Sequence, residues 1–470
     1  MQHSGPSNMA APAATVPAVG RCGFYVEKKK RFCKMVVGTG KKFCGEHATM
    51  EEGSNRRIVC PLDPKHTVSE NKLEKHLKKC NSREKPKPVY FVKDINAGSA
   101  DGDETLQQVS LCEHSRMELE TLVDKLKTAI ASLQSDVEDK VLFHPILQEE
   151  LNNPKNGESA HKHLKQQASI LGHLEELGLL GWGRCFVEFG AGRGKLSHWI
   201  HEALKSQDHP KTCRDLQLLL VERCSTRFKV DGKHQDAGVE CERLQVDIQH
   251  LNLGKVPLLL QKKLPLVGVG KHLCGAATDL ALRCLLETPG FREDSEPPQK
   301  RLKTSEQATD PDPGPDRGSG PVLGLAVALC CHHRCEWRHY VGQQFFLQQG
   351  LGAAEFSAFC RMSSWATCGL RPTDQDCRLQ DRSSQRGDDA EHEPAEEADT
   401  VNGFLSAGER EQLGRLCKLL IDSGRLHFLR NKGFSCRLTR YISPQVTLEN
   451  VLLTAVPSAE SSTESSTPST

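Results

Sequence analysis

A glycine-rich turn between an apolar run and a helix-like segment constrains the fold of this chain more than any other feature. The apolar run, Arg184 to Phe189, carries one acid, Glu188, and the helix-like segment is Leu196 to Leu204. Three glycines stand between them at alternate positions: Gly190, Gly192 and Gly194. Glycines let the chain turn sharply and bring backbone N–H groups against a ligand. A strand, a glycine turn and a helix N-terminus in this order predict an α/β fold with a nucleotide site.

Two further acids follow in the order that such a site requires. Residues 216–223 form a buried-strand pattern with Glu222 near its end, where a carboxylate can accept two hydrogen bonds from a ribose diol. Asp247 follows another short apolar run, and Asp247 with Ile248 is typical of a contact to adenine. The spacing of Glu188 and the glycines resembles the first motif of S-adenosylmethionine (SAM) methyltransferases. These segments favour a SAM site; a glycine-rich turn in another α/β core is the alternative.

The N-terminal part contains two sets of four cysteines and histidines. The first set reads C-x10-C-x10-C-x2-H and consists of Cys22, Cys33, Cys44 and His47. The second reads C-x5-H-x9-H-x3-C and consists of Cys60, His66, His76 and Cys80. Each set offers the four ligands of a closed tetrahedral zinc site, and zinc supplies folding free energy that so polar a sequence lacks. We predict about two structural zinc ions; unrelated cysteines and surface histidines are the alternative.

Positive charge is concentrated in the same part of the chain. Positions 20–93 contain 19 Lys and Arg against 8 Asp and Glu, whereas the whole chain has a net charge of only +1. This concentration predicts a polyanionic partner, because phosphate contacts depend on charge rather than sequence. We expect RNA rather than DNA. Four aromatic residues of the first set either stack on bases or, as we prefer, form the small core of the finger: Phe24, Tyr25, Phe32 and Phe43.

Two loops rich in cysteine and histidine follow the next two predicted strands. Residues 264–269 are one strand, and residues 322–329 are the other. The carboxyl ends of neighbouring parallel strands open onto one crevice, so both loops should face the methyl group of SAM. Lys271 is the first candidate for general base or for stabilising an alkoxide on the acceptor. The competing bases are His272, His332 and His333.

The same two loops allow other chemistry. Six residues offer metal ligands for a third site, although without a clean paired spacing: Cys274, Cys330, Cys331, His332, His333 and Cys335. A cysteine nucleophile, as in methyl transfer to a pyrimidine carbon, is a further alternative.

The order of these motifs resembles the eukaryotic tRNA 2′-O-methyltransferase family that modifies position four of the acceptor stem. The resemblance rests on both finger patterns and on the segments EFGAGRG, KHLCGAATDL and CCHHRC, and it covers roughly Arg21 to Val456 without insertions. It implies SAM as methyl donor, a ribose 2′-hydroxyl as acceptor and tRNA as substrate. It places six residues in the SAM pocket: Glu188, Gly190, Gly192, Gly194, Glu222 and Asp247.

Two other function classes stay open. A zinc-finger RNA-binding or splicing factor with a non-catalytic Rossmann domain would keep the fingers and lose SAM binding. A protein or small-molecule methyltransferase would keep SAM binding and have no need of the basic fingers.

We predict an α/β, Rossmann-like SAM methyltransferase domain with a seven-stranded sheet, at residues 155–456, behind the two fingers at 21–50 and 56–84. A helical or coiled-coil segment at 104–150 precedes this domain, and the last two strands should pair antiparallel. Low-complexity composition predicts disorder at both ends and in two insertions: 1–20, 292–320, 373–402 and 457–470.

The helical segment and the targeting signals complete the prediction. Apolar residues from Leu119 to Val137 form a short heptad seam, which we expect to pack on its own chain rather than to dimerise, giving a monomer.

No run approaches the ~20 apolar residues of a membrane span, and no signal peptide begins the sequence. We therefore expect an intracellular protein of the nucleus, the cytoplasm or both, with no membrane partner.

Overall fold

The structure is a computed structural model, and its chain divides into two compact units, Met1–Lys87 and Pro88–Thr470. It describes residues 17, 19–27, 30–45, 47, 57–80, 82–83, 86–98, 111, 114–133, 137–206, 215–224, 236, 238–288, 321–368 and 405–458. The predicted insertions at 292–320 and 373–402 lie outside these residues, as do most of the predicted disordered ends. No helix in the described part of the chain combines the length and apolar character needed to cross a membrane.

The first unit consists of two small antiparallel hairpins and one short helix. Its elements are β1 (Tyr25–Val26), β2 (Arg31–Phe32), β3 (Arg57–Cys60), β4 (Asp63–Ser69) and α1 (Leu73–Leu77). Among its described residues, the buried apolar side chains are Val68 and four cysteines: Cys22, Cys44, Cys60 and Cys80. A core this small offsets little of the conformational entropy of the described residues, so we expect metal binding to stabilise them.

The second unit contains the larger sheet and its covering helices. Its strands are β5 (Glu138–Asp139), β6 (Arg184–Phe189), β7 (Leu216–Glu222), β8 (Val239–Gln245), β9 (Leu266–Cys274), β10 (Val322–Cys330), β11 (Phe434–Arg440) and β12 (Val451–Pro457). Its helices are α2 (Arg116–Ala131), α3 (Gln148–Leu151), α4 (Glu158–Glu176), α5 (Lys195–Lys205), α6 (Pro257–Lys262), α7 (Ala277–Leu286), α8 (Gln343–Gln348), α9 (Ala353–Met362), α10 (Trp365–Cys368) and α11 (Ala407–Asn431).

The sheet has eight strands in the order β5-β11-β12-β10-β9-β6-β7-β8. Strands β10, β9, β6, β7 and β8 run parallel, and β12 pairs antiparallel with both β10 and β11. The predicted antiparallel final pair is confirmed. The predicted total of seven strands is wrong, because β5 adds an eighth at the edge. Two residues are too few to carry a recognisable apolar pattern, so the sequence did not indicate β5.

Helices cover both faces of this sheet. Alternate residues of β6 enter different apolar clusters: Val187 and Phe189 pack in one, and Phe186 packs in the other. Leu280 of α7 joins the first cluster and Ile170 of α4 joins the second. A parallel sheet buried on both faces needs apolar residues at successive positions, which explains the continuous apolar runs in the sequence.

Helix α2 uses the predicted heptad seam to pack within the unit. Leu119, Val123 and Leu126 are buried in a third cluster with residues of α9 and α11. The predicted seam is too long, because α2 ends at Ala131 and Val137 packs against a different cluster. Ser115 precedes the helix as its N-cap, and its side chain forms a capping box with Glu118.

Strand β9 is longer than predicted. It runs to Cys274, so Lys271 and His272 lie within the strand and not after it. His272 has a φ of 65°, and the pairing of β9 with β10 shifts register between Ala328 and Leu329. A left-handed residue inside a strand redirects the side chains that follow it. This irregularity could not be predicted, because histidine and cysteine at the end of an apolar run are also typical of a loop.

Candidate functional site

The glycine turn leads from β6 directly into α5. Gly190, Gly192 and Gly194 have φ values of 61°, 48° and 68°, a backbone region that glycine adopts at little cost. Glu188 is buried beneath the turn, and its Oε2 accepts hydrogen bonds from the Ser197 backbone N–H at 2.9 Å and hydroxyl at 2.5 Å. Burial raises the pKa of Glu188 to about 7. Glu188 therefore ties the first turn of α5 to the end of β6.

One cleft at the carboxyl ends of the parallel strands gathers most of the predicted cofactor residues. It has a volume of about 430 Å³, and its wall includes Gly190, Glu222, Asp247 and Ile248. This volume lies within the range of roughly 300–1,000 Å³ that is typical of small-molecule sites. Glu188 does not line the cleft but supports its glycine wall from behind. The structure thus brings together the residues that the sequence assigned to ribose and adenine.

Two carboxylates of the cleft, those of Glu222 and Asp247, keep free acceptor capacity. Glu222 accepts a hydrogen bond from the Gly192 N–H at Oε2 and one from the Cys224 N–H at Oε1, both at 2.9 Å. Asp247 accepts one from the Gln249 N–H at 3.1 Å. Each carboxylate oxygen can accept a second hydrogen bond, so Glu222 can also receive both hydroxyls of a ribose. These hydrogen-bond acceptors fit the adenosine part of SAM.

Replacing Glu222 by alanine should weaken SAM binding by about 1.5–3 kcal/mol, the usual range for hydrogen bonds to a charged group. The effect should be larger than that of Glu222→Gln, because glutamine keeps one oxygen acceptor and loses the charge. Calorimetric titration with SAM measures both variants. An unchanged affinity in Glu222→Ala would remove this residue from the pocket.

Lys271 lies beside the cleft and not in its wall. Its Nζ is 3.0 Å from His163 Nδ1 and 2.8 Å from His272 Nε2. Burial lowers the pKa of Lys271 to about 8, although the charge of Glu188 opposes this shift. His272 and Cys274 line the cleft. Sequence reasoning missed His163, which α4 brings to the site from a distant part of the chain.

The structure brings neither His332 nor His333 to the cleft. His332 is buried, and its Nε2 lies 2.8 Å from Asp422 Oδ1. It lines a separate cavity of about 280 Å³ with Asp422. His333 is exposed. Their positions do not support a role as general base. The assignment of these two histidines as general bases stays a prediction, which the rates of variants at each histidine and at Lys271 would test.

Three other residues of the loop after β10 reach the cleft: Arg334, Glu336 and His339. Sequence reasoning did not single them out for the site, since nothing in their spacing distinguishes them from other loop residues.

The two predicted ligand sets of the first unit both converge. In the first set, His47 Nδ1 lies 3.4 Å from Cys22 Sγ and 3.3 Å from Cys44 Sγ, and Cys33 completes the group. Phe24 stacks on the His47 ring with centroids 3.9 Å apart, and Tyr25 packs edge-on against Phe32. These contacts favour a finger core for three of the four aromatic residues.

The second set is equally compact. Cys60 Sγ lies 3.2 Å from His76 Nε2 and 3.8 Å from Cys80 Sγ, and His66 Nε2 lies 3.1 Å from His76 Nε2. Helix α1 contains His76 but ends at Leu77, so Cys80 follows the helix instead of sharing its face, although its N–H still bonds the His76 carbonyl. Asp63 Oδ2 is 3.4 Å from His66 Nδ1 and can orient that ring on a metal. Both groups fit tetrahedral zinc.

Each finger should therefore lose one zinc ion when a ligand is removed. Cys22→Ser and Cys60→Ser should each bind one ion fewer than the unaltered protein and bind tRNA more weakly, while SAM binding is retained. Metal analysis and filter binding measure these effects. Cys224→Ser, an exposed cysteine outside both groups, is the matched control. Full zinc content in Cys60→Ser would exclude that residue as a ligand.

Comparison with protein families finds three matches. Residues 165–456 match "Methyltransferase TRM13". Residues 20–48 match "CCCH zinc finger in TRM13 protein", and residues 57–81 match "U11-48K-like CHHC zinc finger".

Curated proteins match over nearly the whole chain. The chain is 53% identical to "tRNA:m(4)X modification enzyme TRM13 homolog" of Mus musculus, over 97% of this chain and 99% of that protein. The homologue of Homo sapiens is also 53% identical, over 95% and 97%. "tRNA:m(4)X modification enzyme TRM13" of Schizosaccharomyces pombe is 30% identical, over 85% and 95%. No solved structure matches the chain.

Proposed function

The chain belongs to the TRM13 methyltransferase family of tRNA modification enzymes, with its CCCH and CHHC zinc fingers, and from that premise we propose a specific reaction. The protein transfers the methyl group of SAM to the ribose 2′-hydroxyl of nucleotide four in the tRNA acceptor stem. The observation that carries this proposal is the cleft whose wall includes Glu222, Asp247, Ile248 and His272, with Lys271 in contact with that histidine.

One group of residues in the cleft would bind the methyl donor, and another would act on the methyl acceptor. SAM, when bound, supplies an electrophilic methyl group. Glu222 would hold its ribose, Asp247 and Ile248 would hold its adenine, and the glycine turn would let the backbone approach it closely. Holding both reactants in one orientation removes much of the entropic part of the barrier.

Lys271 and His272 act on the acceptor. A 2′-hydroxyl is a poor nucleophile near neutral pH, so a nearby base should assist its attack. Because its pKa is lowered to about 8, Lys271 can release and take up a proton closer to neutral pH than an ordinary lysine. His272 lines the cleft and lies 2.8 Å from Lys271 Nζ, so it can pass a proton between the hydroxyl and the lysine.

The fingers supply tRNA affinity. Their excess of lysine and arginine suits the phosphate backbone, and two structural zinc ions hold the two ligand sets. We propose the domain limits 21–50, 56–84 and 155–456 for the two fingers and the methyltransferase domain. We further propose a monomer that acts in the nucleus, the cytoplasm or both.

Mass spectrometry of tRNA incubated with the protein and SAM tests the proposal. Digestion to nucleosides should yield a ribose-methylated product, and nuclease mapping should place it at position four. A methyl group on a base, or at another position, would contradict the proposed acceptor. Binding of tRNA without binding of SAM would instead favour a non-catalytic RNA-binding protein.

A further inference from the structure

Three cysteine thiols from the ends of β9 and β10 meet beside the cleft. Cys274 Sγ lies 3.2 Å from Cys330 Sγ, and the sulfur atoms of Cys274, Cys330 and Cys331 all lie within 4.8 Å of one another. Within the described parts of the chain, only the two finger sets form comparable groups of metal-ligating atoms. The same convergence that marks the fingers therefore occurs a third time, in the methyltransferase domain.

The backbone is bent in a way that brings these thiols together. Cys274 and Cys330 are direct partners in the register of the two parallel strands. Cys331 has a φ of 50°, which turns its side chain toward the same point, whereas successive residues of a regular strand face opposite sides. This left-handed conformation is unfavourable for a residue that carries a Cβ atom. Such strain persists only where the surroundings impose it, and it is common at functional sites.

The loop after β10 packs against the residue that follows Cys274. Gly275 has a φ of 61°, and a Cβ atom there would lie 2.4 Å from the Arg334 carbonyl oxygen. Only glycine allows these two segments of the backbone to approach this closely. Cys330 and Cys331 are buried, while Cys274 is exposed and forms part of the cleft wall.

A metal explains the cluster better than a disulfide does. A bond between Cys274 and Cys330 would leave the buried Cys331 thiol without a role, whereas a metal uses all three sulfur atoms. Thiolates are soft ligands that select zinc among the common divalent cations of a reducing compartment. Tetrahedral zinc with Zn–S bonds of about 2.3 Å places its sulfur atoms about 3.8 Å apart. The sulfur atoms of Cys274 and Cys330 are slightly closer than this, so a small side-chain movement admits the ion.

We propose that Cys274, Cys330 and Cys331 bind a third zinc ion, with its fourth coordination position open toward the cleft. No other His, Cys, Asp or Glu of the described residues joins the group. His332 is turned to Asp422, and Cys335 Sγ accepts a hydrogen bond from Arg425, so the larger ligand set that the sequence allowed is reduced to three. Three protein ligands with an open position are typical of zinc that binds water or a substrate oxygen. Zinc binding by these three cysteines does not depend on which nucleotide of the tRNA is methylated.

Metal analysis of the whole chain of 470 residues, purified with zinc and a reducing agent, tests this site. We expect three zinc ions per chain in the unaltered protein and two in Cys274→Ser, Cys330→Ser and Cys331→Ser. Cys224→Ser, an exposed cysteine outside the three groups, should keep three. Cys274→Ser carries the test if the variants of the two buried cysteines fail to fold, since Cys274 is exposed.

A second measurement separates this ion from those of the fingers. The double variant Cys22→Ser/Cys60→Ser should retain one metal equivalent, and titration with Co²⁺ should then show the charge-transfer absorption of thiolate ligands. That absorption should disappear when Cys274→Ser is added. Two zinc ions in the unaltered protein, or no thiolate absorption in the double variant, would overturn the proposal. Both measurements are independent of methyl transfer, so they distinguish failure of this site from failure of the proposed reaction.

Discussion

Replacing Lys271 by alanine should lower the rate of methyl transfer by about 10²–10⁴-fold, the usual size of an acid–base or oxyanion contribution. Affinity for SAM and for tRNA should stay nearly unchanged, because Lys271 does not line the cleft that holds the carboxylates. Lys271→Arg should not restore the rate, since arginine keeps a positive charge but cannot lose its proton. Single-turnover kinetics with saturating SAM measures the chemical step in each variant.

The pH dependence gives an independent test of the same role. Burial lowers the pKa of Lys271 to about 8, so its neutral, basic form becomes populated as pH rises through that value. For a general base, kcat/KM should rise about tenfold per pH unit below pH 8 and level off above it. In Lys271→Ala this rise should be lost.

Further variants identify the general base if Lys271 does not have that role. Lys255→Ala removes an exposed lysine that does not line the cleft and should leave the rate unchanged. If His332→Ala or His333→Ala is inactive and Lys271→Ala retains turnover, the base lies on the loop after β10. If Lys271→Ala loses SAM affinity, the lysine belongs to the cofactor pocket instead.

Replacing Arg425 by methionine should destabilise the second unit by about 3–5 kcal/mol, the usual cost of removing one partner of a buried ion pair. Arg425 is 1% exposed, and its Nη2 donates to Asp279 Oδ2 at 2.6 Å while its Nη1 donates to Asp422 Oδ1 at 2.8 Å. Without the guanidinium, Asp279 and Asp422 remain buried and lose the positive charge that they share. The pairs join α7 to α11 and, through Asp422, hold His332 at the end of β10.

Urea denaturation, followed by a probe in the second unit, measures this loss. Arg415→Ala is the control, because Arg415 lies on the same helix but pairs with Glu411 at the surface, where such pairs contribute at most about 1 kcal/mol. The double variant Asp279→Asn/Arg425→Met should be destabilised by less than the sum of its single changes. Equal effects of Arg425→Met and Arg415→Ala would show that the buried network does not stabilise the unit.

The sequence by itself determined the features that depend on neighbouring residues. The apolar run Arg184–Phe189 agrees with the bounds of β6, because a strand buried on both faces needs an unbroken apolar run. The glycine turn was predicted because only glycine adopts positive φ freely at three nearby positions. Both finger ligand sets followed from spacing, since metal ligands must be cysteine or histidine and lie within a short segment. The order of these two ligand sets along the chain also contributed to the family resemblance.

Only the tertiary structure decided which distant side chains meet. Lys271 contacts His163 across 108 residues of sequence, and His332 contacts Asp422 across 90, so neither pair leaves a local pattern. Strand register and two left-handed residues, His272 and Cys331, set the direction of the thiols at the ends of β9 and β10. The sequence placed these loops at one crevice, but the side on which each side chain lies depends on backbone angles. Those angles are set by packing among strands that are remote in the chain, and residue type alone does not encode them.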